Sequence, residues 1–220
     1  MGILGAQHIA DLLQNNTTLT TLNLRSNQIG ASGAQYLADA LRNNSNTKLM
    51  TLDLSCNDIG ALGAQYLANL LRNNETLTTL KIEDNQIGDL GAQYISDALH
   101  NNKILTTLNL FNNQIGISGA QYLAVALENN KILTTLELEE NRIEISGAKH
   151  FADALRKNTA LETLNFRSNR IGDEGAPYLA DSLQNNRTLT ELKLTLKAED
   201  TIWQIIQKRI GKNKKRKSED

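Results

Sequence analysis

The chain has few of the residues that usually carry chemistry. Among its 220 residues there is one cysteine, one proline, one tryptophan and three histidines. A single cysteine, Cys56, rules out an intrachain disulfide framework and fits a reducing compartment. His8, His100 and His150 are scattered along the chain, and with one thiol they supply no zinc ligand set. Neither the G-x-x-x-x-G-K-[ST] phosphate loop nor the G-x-S-x-G nucleophile elbow is present. No catalytic residue, metal or cofactor is therefore expected. A net charge of −1 argues against general affinity for nucleic acid or anionic membrane. No apolar run approaches the ~20 residues of a membrane span. The N-terminus also lacks the basic-then-apolar layout of a signal peptide. Aromatics make up only 4%, so a core must come from Leu, Ile and Ala.

What the chain does have is repetition. The pattern Leu-x-x-Leu-x-Leu-x-x-Asn, with occasional Ile or Phe for the third apolar residue, begins at Leu19, Leu49, Leu77, Leu105, Leu133, Leu161 and Leu189. The interval is 30 residues once and 28 thereafter. The two extra residues fall in "NNSNTKL", a loop where insertion costs little. Asn27, Asn57, Asn85, Asn113, Asn141 and Asn169 close six copies, and the seventh stops at Leu194. An asparagine in such a turn can satisfy backbone groups that no sheet ladder reaches. The Asn-x-Ser/Thr triplets at Asn15, Asn16, Asn43, Asn74 and Asn186 mostly fall in another repeated loop, and read as by-products of that loop.

Each half of the unit has its own period. Leu22 and Leu24 alternate with Thr21, Asn23 and Arg25, which predicts a strand with one buried face. Ala34, Leu37, Ala38 and Leu41 follow helical spacing and predict an amphipathic helix. Ser32, Ser118 and Ser146 are expected as N-caps, with Gln35 and Gln121 three residues on as in a capping box. Pro177 is expected in a first turn, where amides lack helical partners. Tyr36, Tyr66, Tyr94, Tyr122 and Tyr178 flank the helical stripe and are expected to pack, half-buried, between helices. Thirteen of fourteen glycines occupy two fixed slots between strand and helix, so the recurring G-x-x-G is turn grammar and not a phosphate clamp.

One repeat cannot bury enough surface to offset its ordering entropy, so the copies must stack. Strands ~4.8 Å apart opposite helices ~8–10 Å apart make the stack bend, with strands inside. The expected fold is α/β: a right-handed solenoid, or horseshoe, with an inner parallel sheet and outer α-helices over residues 1–196. The chain opens midway through a unit, which suggests a fragment or the C-terminal part of a larger protein; otherwise a monomer is expected. Residues 197–212 are expected as a capping helix, with Trp203, Ile206 and Ile210 covering the last core layer and Thr201 and Gln204 as a capping pair. Residues 213–220 are expected as a basic, disordered tail. The run Lys212 to Lys217 suggests either a solvated end or a nuclear signal on an otherwise cytoplasmic protein.

The signature "LxxLxLxxNxIGxxGAxYLAxAL" at a 28-residue period resembles the ribonuclease-inhibitor class of leucine-rich repeats, which includes the repeat domains of NOD-like receptors and the Ran GTPase-activating protein. The resemblance implies a partner-binding scaffold, at its most specific the sensing or autoinhibitory end of a NOD-like receptor. A GTPase activator of the Ran type would need an arginine near the sheet edge, for which Arg25, Arg142 and Arg170 are available, but that family's tail is acidic and this one is basic. A repeat fragment without a partner is the third possibility.

The outward strand columns carry the site expectation. The third column reads Arg25, Ser55, Glu83, Phe111, Glu139, Arg167, Thr195. Phe111 is either a hot-spot anchor or drift in a solvated column. Glu83 and Asp84 lie on one side of it, Glu137, Glu139 and Glu140 on the other, with Arg25 and Arg167 further out. These eight residues form the candidate surface for a basic or amphipathic protein partner.

Overall fold

A computed structural model describes residues 1–196 and 201–219. The order is α1 (Gly2–Leu13), β1 (Thr21–Asn23), α2 (Gly30–Asn43), β2 (Thr51–Asp53), α3 (Gly60–Leu71), β3 (Thr79–Lys81), α4 (Gly88–Leu99) and β4 (Thr107–Asn109). It continues with α5 (Ile117–Asn129), β5 (Thr135–Glu137), α6 (Glu144–Leu155), β6 (Thr163–Asn165), α7 (Gly172–Ser182), β7 (Glu191–Lys193) and α8 (Thr201–Lys217). The seven strands form one open parallel sheet in sequence order. Its register sets Thr21 beside Thr51 and Asn23 beside Asp53, and so on across every junction. The fold is an α/β leucine-rich-repeat solenoid, as its period predicts. The two extra residues lie between Asn44 and Leu49, in a turn where Thr47 N donates to Asn44 O at 3.3 Å, and the register passes undisturbed.

The core is a single stack. Inward leucines of the strands meet the Ala-Leu stripe of each helix, and Ala34, Leu37, Ala38 and Leu41 are all buried. Phe151 and Phe166 meet edge to face at 4.8 Å, the largest buried side chains. The two glycine slots have different causes. Gly30 has φ +65°, which only glycine adopts without strain. A Cβ on Gly33 would sit 2.9 Å from that of Ala6, so the second slot is small because neighbouring helices touch there. The one first-slot position without glycine is Glu144, which takes the same left-handed conformation at φ 58°.

The helix starts differ from expectation. α2 begins at Gly30, so Ser32 lies inside its first turn; Ser118 and Ser146 are likewise inside α5 and α6, and no side-chain cap forms. The capping comes from the next repeat instead. Asn57 Oδ1 accepts Asn27 N at 2.9 Å and Ile29 N at 3.3 Å, and Asn57 O accepts Gly30 N at 2.8 Å. At α5 the preceding repeat contributes: Asp89 Oδ1 accepts Gly116 N at 2.6 Å and Gly119 N at 3.0 Å. Asp89→Ala is expected to cost ~1 kcal/mol, a cap's usual worth, measurable by urea denaturation. Pro177 falls in the second turn of α7, beyond the free first-turn amides. Only Tyr66 and Tyr94 pack against the core; Tyr36, Tyr122 and Tyr178 are exposed, and Lys149 Nζ lies 4.6 Å from the Tyr178 ring centre.

A second asparagine ladder runs through the helix-to-strand loops. Asn44 Nδ2 donates to Leu13 O and Asn16 O, both at 2.8 Å, and Asn102, Asn130, Asn158 and Asn186 reach back in the same way. Asn213 continues it, 27 residues after Asn186, donating to Asn186 O at 3.2 Å and Leu189 O at 2.9 Å. This is why α8 runs to Lys217, through the segment expected as a disordered tail: Asn213 is buried and ties the helix to the loops. Arg209 also donates to Ala180 O, and Lys217 pairs with Glu162. Ile206 and Ile210 are buried, and Trp203 packs against the core. The expected capping pair does not form: Thr201 is already the first residue of α8, and no side-chain hydrogen bond joins it to Gln204.

Candidate partner-binding face

Outward side chains of the sheet stand in columns, and the second column fixes the third. Asn23, Asp53, Asn109 and Asn165 each use Oδ1 to accept the amide two residues on, at Arg25, Ser55, Phe111 and Arg167 respectively. Phe111 is therefore held from below by its own strand. It is half-buried, while Leu110 beside it is fully buried in the core.

The same asparagines orient the flanking acids. Asn109 Nδ2 donates to Glu83 Oε1 at 2.6 Å, and Asn165 Nδ2 donates to Glu139 Oε2 at 2.8 Å. Phe111 thus lies between two glutamates, each gripped by an amide of the following repeat. Their charge environments differ. Arg25 reaches over the Ser55 position and places Nη1 2.5 Å from Glu83 Oε2, with Nη2 3.9 Å from Asp84 Oδ2. Asp84 also accepts from Asn112 Nδ2 at 2.6 Å. Glu137 lies 3.7 Å from Lys193 Nζ. Among the described residues Glu139, Glu140 and Arg167 form no ion pair, and Glu140 and Arg167 are exposed. Of the flanking acids of Phe111, those without an ion pair, Glu139 and Glu140, are on its C-terminal side.

The predicted surface is therefore contiguous in part. Arg25, Glu83 and Asp84 form one cluster, and Phe111, Glu139 and Arg167 follow in the same column. Sequence spacing shows the columns but not the Arg25–Glu83 contact, which skips a repeat and spans 58 residues. Arg142 and Arg170 are exposed in the turns leading to α6 and α7. Among the described residues no group of three or more His, Cys, Asp or Glu could hold a metal, and no helix is long and apolar enough to cross a membrane.

Cys56 stands beside this cluster, its Sγ 3.5 Å from Asp84 Oδ2, in a left-handed turn. Burial pushes its thiol above the ordinary value, and Arg25 pulls the other way. A raised value leaves less thiolate at a given pH. Alkylation by iodoacetamide is expected to be slower than that of a free cysteine at pH 8 and to rise through a later pH.

Sheet order, register and asparagine ladders together define a leucine-rich-repeat protein that presents a polar strand face with one aromatic ring. A leucine-rich-repeat profile matches residues 15–38, 45–68 and 73–96. The profile described as the TMOD/LMOD leucine-rich domain matches residues 93–214, more than half the chain, and the chain belongs to that family. Two solved structures match along most of the chain. One, titled leiomodin-1 actin-binding site 2, is 17% identical, covers 96% of this chain and 91% of its own, and superposes with a TM-score of 0.46. The other, a tropomodulin C-terminal domain from Caenorhabditis elegans, is 12% identical, covers 97% and 95%, and has a TM-score of 0.44. Comparison with curated proteins finds no match.

Proposed function

We propose that the chain is a non-enzymatic scaffold that holds a protein partner on its outward strand face, with Phe111 as anchor. One observation carries the reading. Among the described residues of the outward columns Phe111 is the single aromatic, and its backbone and both flanking glutamates are fixed by asparagine side chains. A ring placed on a rigid polar surface gains binding energy without an ordering cost, which is how hot spots work. The free acids Glu139 and Glu140 next to it favour a basic or amphipathic partner. The finer assignment, the regulatory end of a NOD-like receptor, rests on the repeat signature alone.

The test is affinity capture with the wild-type chain, Phe111→Ala and Glu137→Lys/Glu139→Lys. Actin, which the leiomodin-1 title names for that protein, is a defined first probe. Both variants are expected to reduce capture of the partner about tenfold or more. Capture that is equal for all three chains sinks the reading.

A further inference from the structure

The Arg25–Glu83–Asp84 cluster has the wrong balance of burial for a purely structural ion pair. The carboxylates are the sheltered half, with side-chain exposures of 18% and 29%, and the guanidinium is the open half at 45%. Each carboxylate is already oriented by an amide, Glu83 by Asn109 and Asp84 by Asn112, both at 2.6 Å. That leaves Glu83 Oε2 to bond Arg25 at 2.5 Å, while Asp84 Oδ2, beside the Cys56 thiol, lies 3.9 Å from the second guanidinium nitrogen. In the column between Arg25 and Glu83 stands Ser55. Alternation with buried Leu54 turns its side chain to the outward face, yet it is fully buried, and its Oγ has no hydrogen-bond partner among the described residues. A hydroxyl on the open side of a sheet that is both covered and unsatisfied marks a place that another group could fill. One repeat beyond Phe111, Glu139 sits in the same asparagine grip without any cation.

We infer that Glu83, Asp84 and Ser55 form a receptor site for an arginine side chain of the partner, and that Arg25 occupies it as an exchangeable internal stand-in. The inference deepens the strand-face reading and rests on it for the identity of the ligand as a protein segment. A guanidinium is the fitting cation because its two terminal nitrogens face carboxylates of two residues, one bonded at 2.5 Å and one at 3.9 Å, a spread that a point-like ammonium does not span. Exchange is cheap because an exposed ion pair contributes little to stability, so a partner arginine replaces Arg25 at small cost. Ser55 Oγ, unpartnered while Arg25 occupies the site, is the acceptor left over for an incoming donor.

The experiment is calorimetric titration of the full chain with triarginine amide, with trilysine amide as comparison, at low ionic strength. Arg25→Ala removes the internal competitor and is expected to bind triarginine roughly fivefold more tightly than wild type. Arg167→Ala removes an equal charge from the same column without touching the site, and is expected to stay within about twofold of wild type. Glu83→Gln is expected to abolish the gain when combined with Arg25→Ala. The inference is overturned if Arg25→Ala binds no tighter than wild type, if Arg167→Ala gains as much, or if trilysine binds as well as triarginine. If it fails while Phe111→Ala still reduces partner capture, the strand-face reading survives alone. If Arg25→Ala gains affinity but Phe111→Ala leaves capture intact, the arginine site stands and the anchor falls.

Discussion

Replacing Asn113 by alanine is expected to lower stability by ~3–5 kcal/mol, near the top of what a polar substitution does. The side chain is fully buried. Its Nδ2 donates to Ile82 O at 2.8 Å and Phe111 O at 3.0 Å, and its Oδ1 accepts Asn85 N at 3.0 Å and Ile87 N at 3.3 Å. Alanine leaves the Ile82 carbonyl and two amides without partners in a region closed to water, while Phe111 O keeps its bond from Asp84 N. Each unsatisfied buried group costs ~1–3 kcal/mol, and partial relaxation keeps the total below the sum. Asn27 is the internal control. It is half-buried, and its Nδ2 serves only its own turn, at Leu24 O and Arg25 O. Asn27→Ala is expected to cost ~1 kcal/mol. Denaturant midpoints for the two variants check the contrast, and equal losses would show that the inter-repeat bonds contribute nothing extra.

The second large effect separates two adjacent residues. Leu110→Ala opens a cavity in the sheet-to-helix core and is expected to cost ~2–5 kcal/mol. Phe111→Ala removes a larger side chain but from the outward face, and is expected to cost less than ~1 kcal/mol. Leu110 is fully buried and Phe111 is not. If thermal melts show both variants equally destabilised, Phe111 is part of the core and the anchor argument ends.

The columns were legible in the sequence because a 28-residue period places the same position of each copy side by side. That is why Leu110 could be assigned inward and Phe111 outward before any coordinates. Three features were not legible, and each involves contacts between copies. Ser32 has the look of a cap by local spacing, but the helix has already begun at Gly30, where Asn57 of the next repeat holds the preceding turn. Arg25 looks distant from the acidic residues, yet a long side chain clears the small Ser55 and reaches Glu83. Asn213 sits inside a run of lysines that reads as solvated, and only its 27-residue offset from Asn186 hints that it extends a ladder. Local patterns predict what a residue does within its own unit, while these three act on a neighbouring one.

The direction of the asparagine ladders has a consequence for biosynthesis. Asn57 supplies the first, Asn85 the second, and in each case the donor of structure lies downstream of the unit it completes. Every copy therefore leaves the ribosome before the side chain that closes it has emerged. At ~5–20 residues per second the wait for the next 28 to 30 residues is ~1.5–6 s, long against the formation of a single helix. Nascent chains of this protein should thus carry one unfinished unit at the exit tunnel.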